Sequence, residues 1–357
     1  MIRIEPRAPS RALDIAVPVA AAGVSLLLAA IPLALAGADL ARAFGLMAEG
    51  VFGSLFAFTE TLTRATPLIL TGLAAAIAFR AKLWNIGGEG QLYLGALAAV
   101  AVGSGAVSGP PALMVPLVIA AGMAAGAAAM ALPALLKLRF GADEVVTTLL
   151  LNFVILLLVQ MMLEGPLQDP MGMGWPQSPP IVEEATWPKL LDRMRLHAGL
   201  VVGLVLAIVL AFVLARTRWG LAIRAVGENA AAARHAGIPT GRTLMGVALL
   251  SGGLAGLAGV GEVVGLKGYL TADLSPGYGY AGIVVAMLAR LSPLGVVASA
   301  LFIAAVFVGA DTMSRAIGVS SYLADLVVAI SLLCVLVGGF VARHRIVRVR
   351  PGAGAGA

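Results

Sequence analysis

The polar residues with the most informative spacing are Asn85, Glu89 and Gln91, set among Gly87, Gly88 and Gly90 in FRAKLWNIGGEGQLY, residues 79–93. Two carboxamides and a carboxylate can bond a polar solute in passing. Their glycines free the backbone to turn. A second group, Asp143, Glu144, Thr147, Thr148 and Asn152, opens an apolar run. The spacing brings Asp143, Thr147 and Asn152 towards one helical face with Glu144 beside them. Asp143 and Glu144 suit capping and charge balance with Lys137 and Arg139; Asn152, deeper in, suits a polar path. Two acids, Glu262 and Asp325, stand at or inside other apolar runs; a proton-coupled carrier would use them, but no deep charged run for a relay accompanies them, and an ion pair or a hydrogen bond to a neighbouring helix is the plainer role. Enzyme chemistry finds no foothold. His197, His235 and His344 lie in loops without metal-ligand spacing, and no nucleophile has a base. The single cysteine, Cys334, excludes a disulfide framework or a zinc site.

These residues sit in a chain that is 60% hydrophobic and 12% charged, with a mean hydropathy of +1.00. Soluble domains carry about 25% charged residues. The chain therefore reads as an all-α, polytopic membrane helix bundle, a single membrane domain over residues 1–357 with 15–342 embedded. A span needs about 20 apolar residues. Ten candidates fall near 15–37, 65–79, 90–107, 112–136, 145–163, 198–215, 243–261, 276–289, 293–310 and 321–342, the second and eighth being short. Most of the 24 basic residues then lie in inner segments. That bias predicts that both termini are cytoplasmic. Arg3, Arg7 and Arg11 before the first run also suit a secretory signal. The uncharged stretch Ile15–Ala38 exceeds a signal core, which favours an uncleaved span.

Non-helical backbone at membrane depth survives only where protein or a wet path satisfies it. NIGGEG is one such interruption, and KGYLTADLSPGYG at 267–279 is another, on the opposite side. Interrupted segments in two halves point to a path between inverted repeats. Gly277-x-Gly-x-x-Gly282 matches a dinucleotide fingerprint but has no strand or βαβ unit around it, so it reads as flexible backbone. The pairs Gly122/Gly126, Gly252/Gly256 and Gly261/Gly265 predict close helix packing. Residues 38–64 suit an interfacial helix or a packed connector. The outer segment 164–197, rich in proline with Trp175 and Trp187, suits a partner's landing site or a passive lid.

The inner loop 216–242 contains RAVGENAAAARHAGIP, a short alanine helix capped by Gly237 with Pro239 beyond. Glu228-Asn229 followed by four alanines, then Gly237-Ile238, resembles the EAA-type coupling loop of ABC importer permeases. NIGGEGQ at 85–91 is similar to the NIGxEGQ segment of the nucleoside (basic membrane lipoprotein-type) branch of the ribose/branched-chain permease family. DEVVTTLLLNF at 143–153 and GYGYAGIVVAMLARLSPLGV at 277–296 also resemble that branch, and the likeness spans most of 60–342. The resemblance implies a permease subunit that imports nucleosides by alternating access. Arg224, Gly227, Glu228, Ala231, Ala233 and Gly237 would couple it to an ATPase; Asn85, Glu89, Gln91 and Asn152 would line the route. It implies partners too: an ABC ATPase, a second related permease and an extracytoplasmic substrate-binding protein. No G-x-x-x-x-G-K-[ST] loop occurs in the chain. No cofactor is therefore expected here, ATP being bound by partner subunits. The alternatives are a proton-coupled carrier of a small polar solute, or the same machine importing a sugar or branched-chain amino acid.

Overall fold

The computed structural model describes residues 2–6, 11–105 and 107–348. In chain order these form β1 (Ile2–Pro6), α1 (Arg11–Leu35), α2 (Leu40–Phe52), α3 (Leu55–Arg80), α4 (Gly88–Gly103), α5 (Pro111–Phe140) and α6 (Glu144–Leu163). After the segment 164–197 come α7 (Gly199–Arg216), α8 (Arg218–Glu228), α9 (Ala230–His235) and α10 (Thr240–Val260). A π-helical stretch, Gly261–Lys267, extends α10; then follow α11 (Tyr278–Leu288), α12 (Pro293–Ile317), α13 (Ser321–Arg343) and β2 (His344–Arg348).

The chain forms two compact units, one of residues 1–50 and 309–357 and one of residues 51–308. In the first, α1 packs on α13. Its strands, β1 and β2, pair antiparallel with Ile2 opposite Arg348 and Pro6 opposite His344. This ribbon is the one addition to an otherwise helical chain among the described residues.

Each of the ten candidate spans coincides with a helix. Seven helices among the described residues are long and apolar enough to cross a membrane: α3, α5, α6, α7, α10 with its π-helical extension, α12 and α13. Helices α4 and α11 fall short. At 16 and 11 residues they rise about 24 and 16 Å, against a hydrocarbon core of about 30 Å. Helix α3, by contrast, starts ten residues before the expected span. Ser54 caps it by accepting the Ala57 N–H at 3.0 Å. Its early polar positions become tolerable because Thr59, Thr61, Thr63 and Thr66 return their hydroxyl protons to carbonyls three or four residues back. Glu60 and Arg64, expected in an interfacial helix or a packed connector, thus belong to the same long helix as the span that follows.

The second unit is built around α10, which packs on α3, α4 and α5. Its glycines explain how close those contacts are. A Cβ on Gly259 would fall on the Leu92 carbonyl of α4, and one on Gly256 on the Gly122 carbonyl of α5. Gly126 and Gly252 face each other in the same way, as the first two glycine pairs led one to expect. The third pair has a different use: Gly261 and Gly265 lie against the rings of Trp187 and His197, not against another helix. A methyl group on Gly253, 3.4 Å from its nearest neighbour, would fit. Gly256→Val should therefore destabilise the folded protein by about 1–3 kcal/mol through overpacking, while Gly253→Ala should lower its thermal midpoint little or not at all.

Candidate functional site

Inside the second unit the N-termini of α4 and α11 meet. Gly88 and Gly279 bring their backbones together so closely that a Cβ on Gly279 would overlap the Glu89 backbone nitrogen. Each helix start carries N–H groups with no intrahelical partner. Side chains supply the acceptors. The Glu89 carboxylate accepts the Gly279 N–H at 2.6 Å, so an acid in the first turn of α4 caps α11. Asn152 Oδ1 accepts the Gly90 N–H at 2.8 Å, and Asn85 Oδ1 accepts that of Gly87 at 2.9 Å.

The four sequence-predicted path residues thus come together, and all are buried. Asn85 and Gln91 exchange two amide hydrogen bonds of 2.8 Å. Asn85 also donates to Ser251 Oγ on α10, which donates in turn to the Ala74 carbonyl of α3. Asn152 donates to the Ile86 carbonyl and to the Tyr280 hydroxyl. The Thr71 hydroxyl of α3 reaches the Tyr278 carbonyl at 3.0 Å. Thr71, Ser251 and Tyr280 were not singled out in the sequence. Their only signal was a lone hydroxyl in an apolar run, which is common.

The inward face of α6 also differs from expectation. Glu144, Thr148 and Asn152 are buried, four residues apart, whereas Asp143 and Thr147 are not. Asp143 caps the helix by accepting the Val145 N–H, and so turns its neighbour inward. Glu144 pairs with Lys137 at 2.5 Å and accepts the Trp84 N–H. Capping and charge balance are what these acids do.

At one end of this unit, segment 164–197 lies over the π-helical stretch and the segment that follows it. Ser178 exchanges hydrogen bonds with Leu270, Ile181 N–H reaches the Gly268 carbonyl and Trp187 N–H that of Val264. The His197 ring is fully buried there, its Nδ1 accepting the Gly199 N–H at 3.1 Å. Burial pushes its imidazole down to about 4.

At the opposite end stand α8 and α9. The sequence led one to expect a single short helix; instead α8 runs through Gly227 and Glu228, and Asn229 divides the two. Asn229 closes α8 through its N–H and opens α9 by accepting the Ala231 and Ala232 N–H groups. Gly237, at φ +81°, ends α9 with bonds from its own N–H to Arg234 and from Ile238 to Ala233. The expected coupling residues divide by exposure. Arg224, Glu228, Ala231 and Gly237 are exposed; Gly227 is pressed on the Arg80 carbonyl and Ala233 is buried. Lys82 Nζ donates to the Glu228 carbonyl at 3.3 Å, beside a cavity of about 230 Å³ that Lys137 also lines.

Long apolar helices, two half-helices with buried polar caps and an exposed helix pair at one end define a multi-pass membrane transport protein. The chain belongs to the family described as branched-chain amino acid transport system / permease component, whose model matches residues 57–336. It is 36% identical to the glucose ABC transporter permease protein TsgB13 of Haloferax volcanii, over 92% of this chain and 89% of that one. It is 35% identical to the guanosine ABC transporter permease protein NupP of Bacillus subtilis, over 89% and 92%. Identity to the nucleoside ABC transporter permease protein NupB of Lactococcus lactis is 32%, over 74% of each chain. No solved structure matches. The chain is accordingly a permease subunit of an ABC transporter, a transport protein rather than an enzyme. Asp325, which the proton-coupled alternative would use, is exposed in the second turn of α13.

Two measurements check this geometry. Asn85→Ala and Gln91→Ala should each destabilise by about 1–3 kcal/mol, since each strands a buried amide. The double variant should fall short of their sum by about 1 kcal/mol, as partners in one bond pair do; additive losses in an unfolding titration would deny the pair. His197 binds its proton more weakly folded than unfolded. Its contribution is therefore complete above pH 6.5 and lost as pH falls towards about 4, at about 1.4 kcal/mol per unit. The thermal midpoint should drop across that window, and His197→Asn should flatten the drop.

Proposed function

We propose that this permease imports nucleosides, and that the solute passes where α4 and α11 meet. The observation that carries this reading is the pairing of two half-helix N-termini around Glu89. Such broken helices are how membrane transporters place polar groups at mid-depth. Around the junction Asn85, Gln91 and Asn152 offer amides to a base or ribose once their mutual bonds open. The identities to the guanosine and nucleoside permeases support the solute class. Glucose is the second reading, favoured by the 36% identity to a permease named for it.

The two halves also exchange partners. Long helix α3 packs on half-helix α11, and long helix α10 on half-helix α4. Thr71 of α3 bonds the start of α11, as Ser251 of α10 bonds the residue leading into α4. This reciprocity supports an inverted repeat. Arg80, Lys82, Lys137, Arg139, Arg216, Arg218, Arg224 and Arg234 gather near α8 and α9, so this end is cytoplasmic and segment 164–197 is outside. Both termini would be cytoplasmic, in the bacterial inner membrane.

The exposed face of α8 and α9, with Arg224, Glu228, Ala231 and Gly237, would meet the ATPase. Gly227 and Ala233 would hold that face in place rather than touch the partner. A second related permease and an extracytoplasmic binding protein would complete the machine. ATP would act on partner subunits, with no cofactor in this chain. Closure of the ATPases would shift the bundle between states, and only differential affinity of ATP for those states can do so.

Reconstituted with its partners, the complex should hydrolyse ATP faster when its binding protein carries guanosine than when it carries ribose, glucose or leucine. Stimulation by glucose alone would move the chain to sugar import. In the same vesicles Glu89→Gln should lower guanosine uptake about tenfold or more, by weakening the cap on α11; full uptake would return Glu89 to a purely structural role.

A further inference from the structure

A cavity of about 390 Å³ opens at the end of the second unit that segment 164–197 covers. Two aromatic rings line it, Trp175 and Tyr269, 68% and 39% exposed. Arg195, Lys267, Gln177, Thr271 and Asp273 supply the remaining polar wall. Two strands of chain build it: Gln177 and Thr271 form an antiparallel bridge, and the Ser178–Leu270 bonds fix the neighbouring pair. Gln177 is held further by donating to Asp169 at 3.2 Å.

The charges are balanced locally. Arg195 is paired with Glu60 at 3.1 Å. Lys267 donates to the Asp273 backbone carbonyl at 3.1 Å, with that residue's carboxyl also in the wall. An anion would find no uncommitted pair of cations, and a hydrocarbon would find polar walls. A neutral ring bearing several hydroxyls matches both: aromatic faces take its C–H or base surface, and amide, hydroxyl and carboxylate take its O–H groups. Thr271 and Asp273 also lie on the segment that leads to Gly279. Tyr93 of α4 pins that segment, its hydroxyl donating to the Ala272 carbonyl and accepting the Ser275 N–H.

We infer that this cavity is a low-affinity stop for the neutral, polyhydroxylated part of the solute, ribose or hexose, on its way to the α4–α11 junction. The inference rests on the reading of the chain as a nucleoside or sugar permease. It adds a site on the permease itself, separate from whatever the binding protein holds.

The test is direct binding of tritiated guanosine to the purified complex without its binding protein. Wild type should bind it, and unlabelled ribose and glucose should compete. Trp175→Ala should weaken binding about tenfold or more, the scale of a lost stacking contact, and so should Tyr269→Ala, with elution volume and thermal midpoint unchanged. Absence of wild-type binding at millimolar guanosine, or parental affinity in both variants, would overturn the site. So would stronger competition by phosphorylated ribose than by ribose, which marks an anion site. ATPase stimulation by loaded binding protein, run in parallel, separates the two readings. Stimulation by guanosine without direct binding removes the cavity site and keeps nucleoside import; direct binding that both variants weaken, without stimulation, keeps the site and removes nucleoside import as the reading.

Discussion

Two helix ends that meet buried inside an apolar bundle must find hydrogen-bond acceptors within the protein. An unsatisfied N–H group in such a place costs several kcal/mol. This requirement explains the composition of the junction more fully than any other. Glu89 caps the opposite half-helix, Asn152 caps its own neighbour's backbone from α6, and Asn85 bonds both its own turn and Gln91. Glycines at Gly88 and Gly279 are required because the two backbones touch. Every polar residue there is therefore structural first. On the proposed route a solute would reach those groups only when the two half-helices separate.

Coupling to an ATPase, as proposed, would rest on equally close contacts. Helix α8 is anchored by Gly227 on the end of α3, whose last residue, Arg80, also donates to the Leu291 carbonyl beyond α11. A push on α8 would thus be delivered to α3 and to the segment after α11 together. Helix α3 also meets the start of α11, at the Thr71–Tyr278 bond. The glycine contacts of α10 with α4 and α5 leave little room for internal yielding, and closely packed interfaces shift between discrete arrangements rather than deform smoothly.

Much of this was legible in the sequence. The ten helical segments, the two interruptions, the packing glycines and the cap at Gly237 all follow from local pattern. Asn85, Glu89 and Gln91 stood out as polar side chains among glycines in an apolar chain, and Asn152 as an amide inside an apolar run; the four are buried together. What stayed hidden depends on side-chain bonds, some within one helix or its cap and some with distant parts of the chain. Nothing local says that α3 begins at Leu55, since its threonines become tolerable only by bonding their own helix. The turn of α6 that buries Glu144 and exposes Asp143 is decided by Lys137 and by the Asp143 cap. Gly261 and Gly265 look like a helix-packing pair, but a histidine from segment 164–197 occupies their face. Ser251 and Thr71 gain meaning only from partners more than 150 positions away.

The most direct measurement is the structure of the assembled transporter in nucleotide-free and ATP-bound states, read at the contact between the Glu89 carboxylate and the Gly279 N–H. The expected result is that this contact, with the Asn85–Gln91 pair, is closed in one state and parted in the other, opening a continuous route between α4 and α11. An unchanged contact in both states, with a route opening elsewhere in the complex, would contradict the account.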